Sequence, residues 1–123
     1  MLEIKIVEDA MLAQKLCKQC GIENTEHKNV MAAFDGQEVI GFSVFAINET
    51  SLTLFRIVPE DDILLADGML RSTLHVAATR GLNNACYDGS MNEQLLNKLK
   101  FIKDREKKQL DIDRLFADCC CGK

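Results

Sequence analysis

Three apolar runs separated by two turn signals occupy residues 30–58, and this pattern constrains the fold more than any other feature. Asp35-Gly36 follows the first run, and an Asp-Gly pair between apolar runs indicates a hairpin because both turn positions tolerate positive φ. Asn48-Glu49-Thr50 supplies the second turn. The runs are Val30–Phe34, Glu38–Ile47 and Ser51–Val58, with Pro59 after the last. The pattern predicts an antiparallel meander of three strands.

The segments on either side of the meander alternate between strand-like and helical periodicity. Leu2–Val7 alternates apolar and charged residues, as a half-buried strand does, and helical spacing follows from Glu8 to Gly21. After the meander, apolar residues recur three or four positions apart from Ile63 to Ala77, which predicts a helix with one buried stripe. Asp61 and Asp62 precede this helix, and aspartate is a good N-cap residue.

The last part of the chain has weaker patterns. Leu82–Tyr87 has the composition of a short buried strand, and Ser90 is predicted to cap a helix from Met91 to about Leu99. Phe101-Ile102 fits a further strand, and Leu110–Ala117 fits a weak strand or a helix.

The order of these elements predicts a single-domain α+β sandwich. The strand–helix–strand unit from Leu52 to Tyr87 implies a parallel strand pair joined by a right-handed crossover, whereas the meander is antiparallel. We therefore expect a mixed, mostly antiparallel sheet with flanking helices in residues 1–118, followed by a cysteine-rich tail in residues 119–123.

The composition argues against several classes of protein. The chain has 123 residues, 47% hydrophobic and 28% charged, as expected of one folded domain. Its net charge of -4 argues against a dedicated nucleic-acid-binding protein, which normally carries a basic excess. No apolar run approaches the ~18 residues of a membrane span, and the first residues lack a signal-peptide pattern. We therefore expect a cytoplasmic protein that binds neither nucleic acid nor a membrane.

Three short phrases, together with the element order, resemble the GCN5-related N-acetyltransferases (the GNAT family). Leu54–Glu60 resembles the family's fourth strand, which ends in a Val-x-Pro-Glu-like phrase. Asp67–Gly81 resembles the helix that follows that strand, and Asn97–Phe101 resembles a Glu-Lys-Leu-Gly-Phe segment after the last long helix. The resemblance covers roughly residues 2–101 and implies a GNAT-like fold.

The resemblance also implies a chemistry. Members of the family transfer an acetyl group from acetyl-CoA to an amine, so the expected partner of an active enzyme is a small-molecule or peptide amine. Ile57, Val58 and Gly68 would then line the cofactor site. Tyr87, the single tyrosine of the chain, would assist as the general acid if it faces the cleft of the sheet; a buried aromatic of the sheet is the alternative. Whether the protein forms a homodimer is left open.

The family's phosphate-binding loop is degenerate in this sequence. In the family, glycines let backbone N–H groups approach the pyrophosphate of coenzyme A. The matching stretch here runs from Asp62 to Asp67, with Leu65 and Asp67 at the two glycine positions and Gly68 one residue late. Two functions therefore stay open: a divergent acyltransferase, or an inactive GNAT-fold protein that binds a small ligand, a partner subunit or a metal.

The cysteines suggest where a metal would bind. Cys119, Cys120 and Cys121 are consecutive near the chain end, where adjacent thiols can capture a soft metal ion; a tail with little role is the alternative. Cys17 and Cys20 fall on the apolar stripe of the first helix, where they are expected to act as small core residues. The alternative is that Cys17, Cys20 and His27 supply three ligands of a metal site.

Overall fold

The strands of this protein form one mixed sheet, with helices on both of its faces. The computed structural model describes residues 2–22 and 27–117. Within those residues the strands are β1 (Leu2–Ile6), β2 (Asn29–Asp35), β3 (Glu38–Ile47), β4 (Ser51–Val58), β5 (Asn84–Tyr87), β6 (Ile102–Asp104) and β7 (Gln109–Leu110). The helices are α1 (Ala10–Gln19), α2 (Ile63–Thr79), α3 (Glu93–Leu99) and α4 (Asp113–Ala117).

The described strands lie in the order β1-β2-β3-β4-β5-β7-β6. The pair β4–β5 is parallel, and every other neighbouring pair is antiparallel. Helix α2 provides the crossover between the two parallel strands. The predicted α+β class, with its mixed and mostly antiparallel sheet, is confirmed. The predicted tail in residues 119–123 lies outside the described residues.

The two longest helices begin at aspartate caps. The Asp9 carboxylate accepts hydrogen bonds from the N–H groups of Met11 and Leu12, at 3.0 and 3.4 Å. The Asp62 carboxylate accepts one from the N–H of Leu65 at 3.1 Å, so the predicted capping role of Asp62 is confirmed. Each such cap stabilises a helix by about 0.5–2 kcal/mol because it satisfies a main-chain donor that has no partner in the helix.

The predicted cap of α3 is wrong by two residues. Asn92 caps this helix, and its side-chain oxygen accepts hydrogen bonds from the N–H groups of Gln94 and Leu95. The Ser90 hydroxyl is instead bonded to the Asp88 carboxylate. Serine and asparagine are both good caps, and a local pattern does not say which of two neighbouring candidates has another partner.

Two apolar clusters hold the layers together. On one face of the sheet, α2, α3 and α4 pack against a large cluster that includes Phe45, Leu54 and Phe101. On the other face, α1 packs against a smaller cluster around Cys17 and Phe42. Within the larger cluster, a buried hydrogen bond of 2.6 Å joins the hydroxyls of Ser43 on β3 and Thr73 on α2, which fixes how the helix sits on the sheet.

The chain end forms a short hairpin that joins the sheet. β7 lies between β5 and β6, and the N–H of Tyr87 donates to the carbonyl of Lys108 at 2.9 Å. The predicted strand at Phe101-Ile102 begins at Ile102, and the segment 110–117 divides into the end of β7 and helix α4. Among the described residues, no helix is long and apolar enough to span a bilayer.

Candidate functional site

The parallel strands β4 and β5 pair over only half the length of β4. Their register runs from Ser51 opposite Asn84 to Leu54 opposite Tyr87. The N–H of Asp88 then donates to the carbonyl of Leu54 at 2.8 Å, after which the chain leaves β5 toward α3. The last four residues of β4, from Phe55 onward, therefore have no strand partner on this side among the described residues. We call this opening between the second half of β4 and the start of α3 the β4–β5 wedge.

A chain of polar side chains crosses the wedge. The Arg56 guanidinium donates to the hydroxyl of Ser90, and that hydroxyl donates to the Asp88 carboxylate. Arg56 also donates to the carbonyls of Cys20 and Phe55, at 3.3 and 2.8 Å. Arg56 thereby ties β4 both to the end of α1 and to the turn before α3. We call Arg56, Ser90 and Asp88 the wedge network.

The wedge network is charged at neutral pH. The two hydrogen bonds from Ser90 to Asp88 lower the pKa of that carboxyl, and the positive charges of Arg56 and Lys28 lower it further. A second bridge lies nearby, where the side-chain amide of Asn92 donates to the Glu60 carboxylate at 3.1 Å. Side chains from both sides of the wedge therefore bond to one another across it.

Tyr87 lies at the narrow end of the wedge, with its ring in the core. The residue is 2% exposed, and its hydroxyl donates to the Glu93 carboxylate at 2.7 Å. Burial and the Glu93 hydrogen bond raise the pKa of Tyr87 to about 12. Arg105 donates to the other oxygen of the same carboxylate at 3.3 Å. The proton of Tyr87 is thus held by Glu93, and its role as a general acid stays a prediction.

The three residues predicted to line a cofactor site lie in different surroundings. Ile57 is buried in the larger apolar cluster, whereas Val58 lines a surface groove between α1 and the sheet. Gly68 lies inside α2, where its main chain belongs to the helix and not to its N-terminus. A Cβ at Gly68 would lie 3.8 Å from the Cδ1 atom of Ile4, so this glycine contributes to the packing of α2 against β1.

The N-terminus of α2 does not fit the pyrophosphate of coenzyme A. A phosphate site there needs free N–H groups and a positive potential. Here the Asp62 carboxylate accepts a hydrogen bond from the N–H of Leu65. Glu60 and Asp61 add two further carboxylates to the loop that precedes the helix. A carboxylate ~4 Å from a phosphate charge opposes binding by about 4 kcal/mol, which exceeds the 0.3–1 kcal/mol attraction of a helix terminus.

The side chain of Leu65, in the first turn of α2, packs closely against β3. The Leu65 side chain packs on Gly41 of β3, where a Cβ would lie 3.1 Å from Leu65 Cδ2 and 3.0 Å from the Val58 carbonyl oxygen. This close approach needs the glycine at position 41 and seals the space beneath the first turn of α2. No backbone cradle for phosphates forms there.

The groove between α1 and β3 has the size of a small-ligand site. It has a volume of about 420 Å³, within the range of roughly 300–1,000 Å³ usual for such sites. Apolar side chains of both elements line it, together with Lys15, Gln19 and Gln37. Its apolar lining residues include Leu12, Leu16, Val39, Ile40, Phe42 and Val58. We call it the α1 groove.

Cys17 and Cys20 pack in the smaller apolar cluster as core residues. Cys17 is buried and Cys20 half-buried, and burial raises the pKa of both thiols. Within residues 2–22 and 27–117, no three histidine, cysteine or acidic side chains lie close enough to hold a metal. The hypothesis that His27 joins Cys17 and Cys20 in a metal site is therefore wrong. The predicted metal ligands Cys119, Cys120 and Cys121 lie outside the described residues, so that site stays a prediction.

Sequence reasoning missed the wedge network. Arg56 interrupts a run that is otherwise apolar, and a charged residue in a half-buried strand needs a partner. Asp88-Gly89-Ser90 follows the next predicted strand and offers polar groups at the same end of the parallel pair. These two signals taken together could have identified the contact.

Comparisons with known proteins support the fold and nothing narrower. No protein-family model matches the chain, and no curated protein is significantly similar to it. The structure is similar to that of a protein from Desulfovibrio desulfuricans assigned to the GNAT acetyltransferases, with a TM-score of 0.52 and 12% sequence identity. The match covers 71% of this chain and 72% of that one. At such low identity the likeness concerns the fold, and on that evidence this chain has a GNAT-like fold.

Proposed function

We propose that this chain is a ligand-binding protein on a GNAT-like fold, without acetyl-CoA-dependent transferase activity. The observation that carries the proposal is the N-terminus of α2, where the Asp62 carboxylate accepts the N–H of Leu65 and where Glu60 and Asp61 add two acidic residues to the preceding loop. A cofactor with a pyrophosphate is repelled from this position. A protein with this fold can then bind a different ligand.

The α1 groove is the proposed ligand site. Its apolar walls suit a hydrophobic body, and Lys15 with the amides of Gln19 and Gln37 suits a carboxylate or another hydrogen-bond acceptor. Because Lys15 is exposed at the rim, its charge would orient such a ligand rather than be buried by it. The proposed ligand class is a small organic acid with an apolar portion.

An acyltransferase is the second candidate, and the end of β4–β5 pairing at Leu54 and Tyr87 favours it. Such an opening could admit the thioester arm of acetyl-CoA, with Ile57 and Val58 beside it and Gly68 in the helix behind. Tyr87 would then assist proton transfer as an amine attacks the thioester directly. For this candidate the wedge network would have to open, and the cofactor phosphates would have to bind away from the acidic N-terminus of α2.

Calorimetry with acetyl-CoA separates the two candidates. We expect no saturable heat at millimolar acetyl-CoA, because the Asp62 carboxylate accepts the N–H of Leu65 and the loop before α2 carries two further acidic residues. Saturable binding at micromolar concentration, together with acetylation of an amine substrate, would overturn the proposal in favour of the transferase.

The α1 groove is tested separately with small aryl and alkyl carboxylates by NMR titration. We expect shifts confined to resonances of residues that line the groove, such as Gln37 and Val39. Lys15→Glu should weaken carboxylate binding several-fold, whereas Lys18→Glu, on the same helix but not in the groove lining, should leave it unchanged. Equal effects of the two variants, or shifts spread over the surface, would contradict the assignment of the site.

A further inference from the structure

The strand β1 forms one edge of the sheet, and its outer side has regularly spaced main-chain groups that bond to no other strand in the described part of the chain. Among residues 2–22 and 27–117, β1 pairs with β2 alone. The N–H of Val7 donates to the carbonyl of Val30 at 2.8 Å, so odd-numbered residues of this strand direct their main-chain groups toward β2. In an antiparallel ladder the direction alternates with each residue. The N–H and C=O groups of Leu2, Ile4 and Ile6 therefore point away from the sheet.

The same three residues place apolar side chains at this edge. Leu2 is 55% exposed and Ile6 is 41% exposed, whereas Ile4 packs partly on the core beside Gly68. Leu64 lies one helical turn before Gly68, hence on the same side of α2, and is 86% exposed. An open edge strand with apolar side chains is a template for pairing with another strand. This strand has no proline, and its charged residues Glu3 and Lys5 lie on the face opposite to the apolar ones.

We propose that two copies of this chain associate through antiparallel pairing of β1 with β1, centred on Ile4. In this arrangement Ile4 of one copy lies opposite Ile4 of the other, and Leu2 lies opposite Ile6. These residues carry the outward main-chain groups, so each pair can exchange two hydrogen bonds across the two-fold axis. The result is one continuous sheet through both copies. This inference is independent of the proposed function.

Charge selects this register over its neighbours. Glu3 and Lys5 lie on the opposite face from the apolar residues, and they form an exposed ion pair of 3.5 Å within the strand. Pairing centred on Ile4 places Glu3 of each copy opposite Lys5 of the other, at a close pair of residues without mutual hydrogen bonds. A shift of the centre to Glu3 would face two glutamates, and a shift to Lys5 would face two lysines. Like charges directly opposite each other destabilise a strand pair.

A shift to a register that pairs odd with even residues is also disfavoured. It would set apolar residues opposite charged ones, because side chains directly opposite one another in a ladder point to the same face. The alternation of apolar and charged residues from Leu2 to Ile6 thus matches that of a second copy of the strand in one register. Since one short strand from each copy makes a contact smaller than most permanent interfaces, we expect the dimer to be reversible and concentration-dependent.

Charge reversal at the two positions tests the register. Sedimentation equilibrium is run on the tag-free protein and on Glu3→Lys, Lys5→Glu and the double variant. In each single variant, positions 3 and 5 carry the same charge and lie opposite each other across the two-fold axis. Each should therefore weaken dimerisation by about tenfold. The double variant restores opposite charges and should recover most of the loss. Both residues are exposed, so folding, followed by circular dichroism, should not change. Met11→Lys, at an 80% exposed residue on α1, is the control and should dimerise like the parent.

Hydrogen exchange identifies the strand directly. Amides of Leu2, Ile4 and Ile6 should gain protection as the protein concentration rises, whereas those of Glu3 and Lys5 already face β2 and should change little. A protein that stays monomeric up to millimolar concentration would overturn the proposal. So would a double variant no better than the single ones, or protection gained elsewhere but not at these amides.

Discussion

The face of the sheet that carries α2 and the face that carries α1 are packed in different ways. Against α2 the cluster is large and continuous, and its buried polar pair, Ser43 with Thr73, is fully hydrogen-bonded. Against α1 the cluster is smaller, and it borders the α1 groove and the wedge network centred on Arg56. The α2 face therefore contributes most of the buried core, while the α1 face carries the α1 groove and the wedge network.

Truncation of a leucine on each face should show the largest difference. Leu74 on α2 is fully buried, and Leu74→Ala should lower the free energy of unfolding by about 2–5 kcal/mol through lost burial and the cavity left behind. Leu12 on α1 is half-buried at the rim of the groove, and Leu12→Ala should lower it by about 1 kcal/mol or less. Urea denaturation measures both values. Equal losses would show that the two faces contribute alike.

Removal of Arg56 tests whether the wedge network stabilises the α1 face. Arg56→Ala leaves Ser90 and the Cys20 carbonyl without the guanidinium and should lower the free energy of unfolding by about 1–3 kcal/mol. Arg80→Ala, just after α2, is a control at an exposed arginine and should have little effect. A loss no larger than that of the control would mean that water replaces these contacts at no net change in stability.

The cap of α2 provides a smaller effect. Asp62→Ala should lower the free energy of unfolding by about 1 kcal/mol, because the N–H of Leu65 loses its acceptor. Acetyl-CoA should still not bind, since Glu60 and Asp61 remain. If this variant alone gains micromolar affinity for acetyl-CoA, then one side chain, and not the acidic loop as a whole, blocks the cofactor.

The titration of Tyr87 gives the most specific signal, because it reports one side chain. The chain has one tyrosine and no tryptophan, so the phenolate absorbance near 295 nm reports Tyr87 alone. A pKa raised to about 12 means that the folded state favours the protonated form. Its contribution to stability is complete below the ordinary pKa of about 10 and is lost as the pH rises through 12. Glu93→Gln should move the midpoint down. A midpoint below 10 in the parent would favour the acyltransferase candidate.

The sequence by itself determined most of the elements of the fold. The ranges of β3 and β4 match their predicted bounds, α2 begins directly after the predicted cap Asp62, and α1 begins two residues after the predicted change of period at Glu8. These features depend on neighbouring residues: period-two alternation, a turn dipeptide, and a cap that bonds N–H groups two or three positions ahead. Patterns of this kind can be recognised in the sequence without knowledge of distant contacts.

Only the tertiary structure decided which groups meet at the wedge and how the sheet ends. Arg56 and Ser90 are 34 positions apart, and their contact depends on parallel pairing that brings the ends of β4 and β5 to the same side. β7 is two residues long, too short to show a period, and it is held in place by β5 and β6. A side chain such as Ser90 could form hydrogen bonds of similar strength with several polar residues of the sequence. Which of these bonds forms depends on distances that only the folded chain sets.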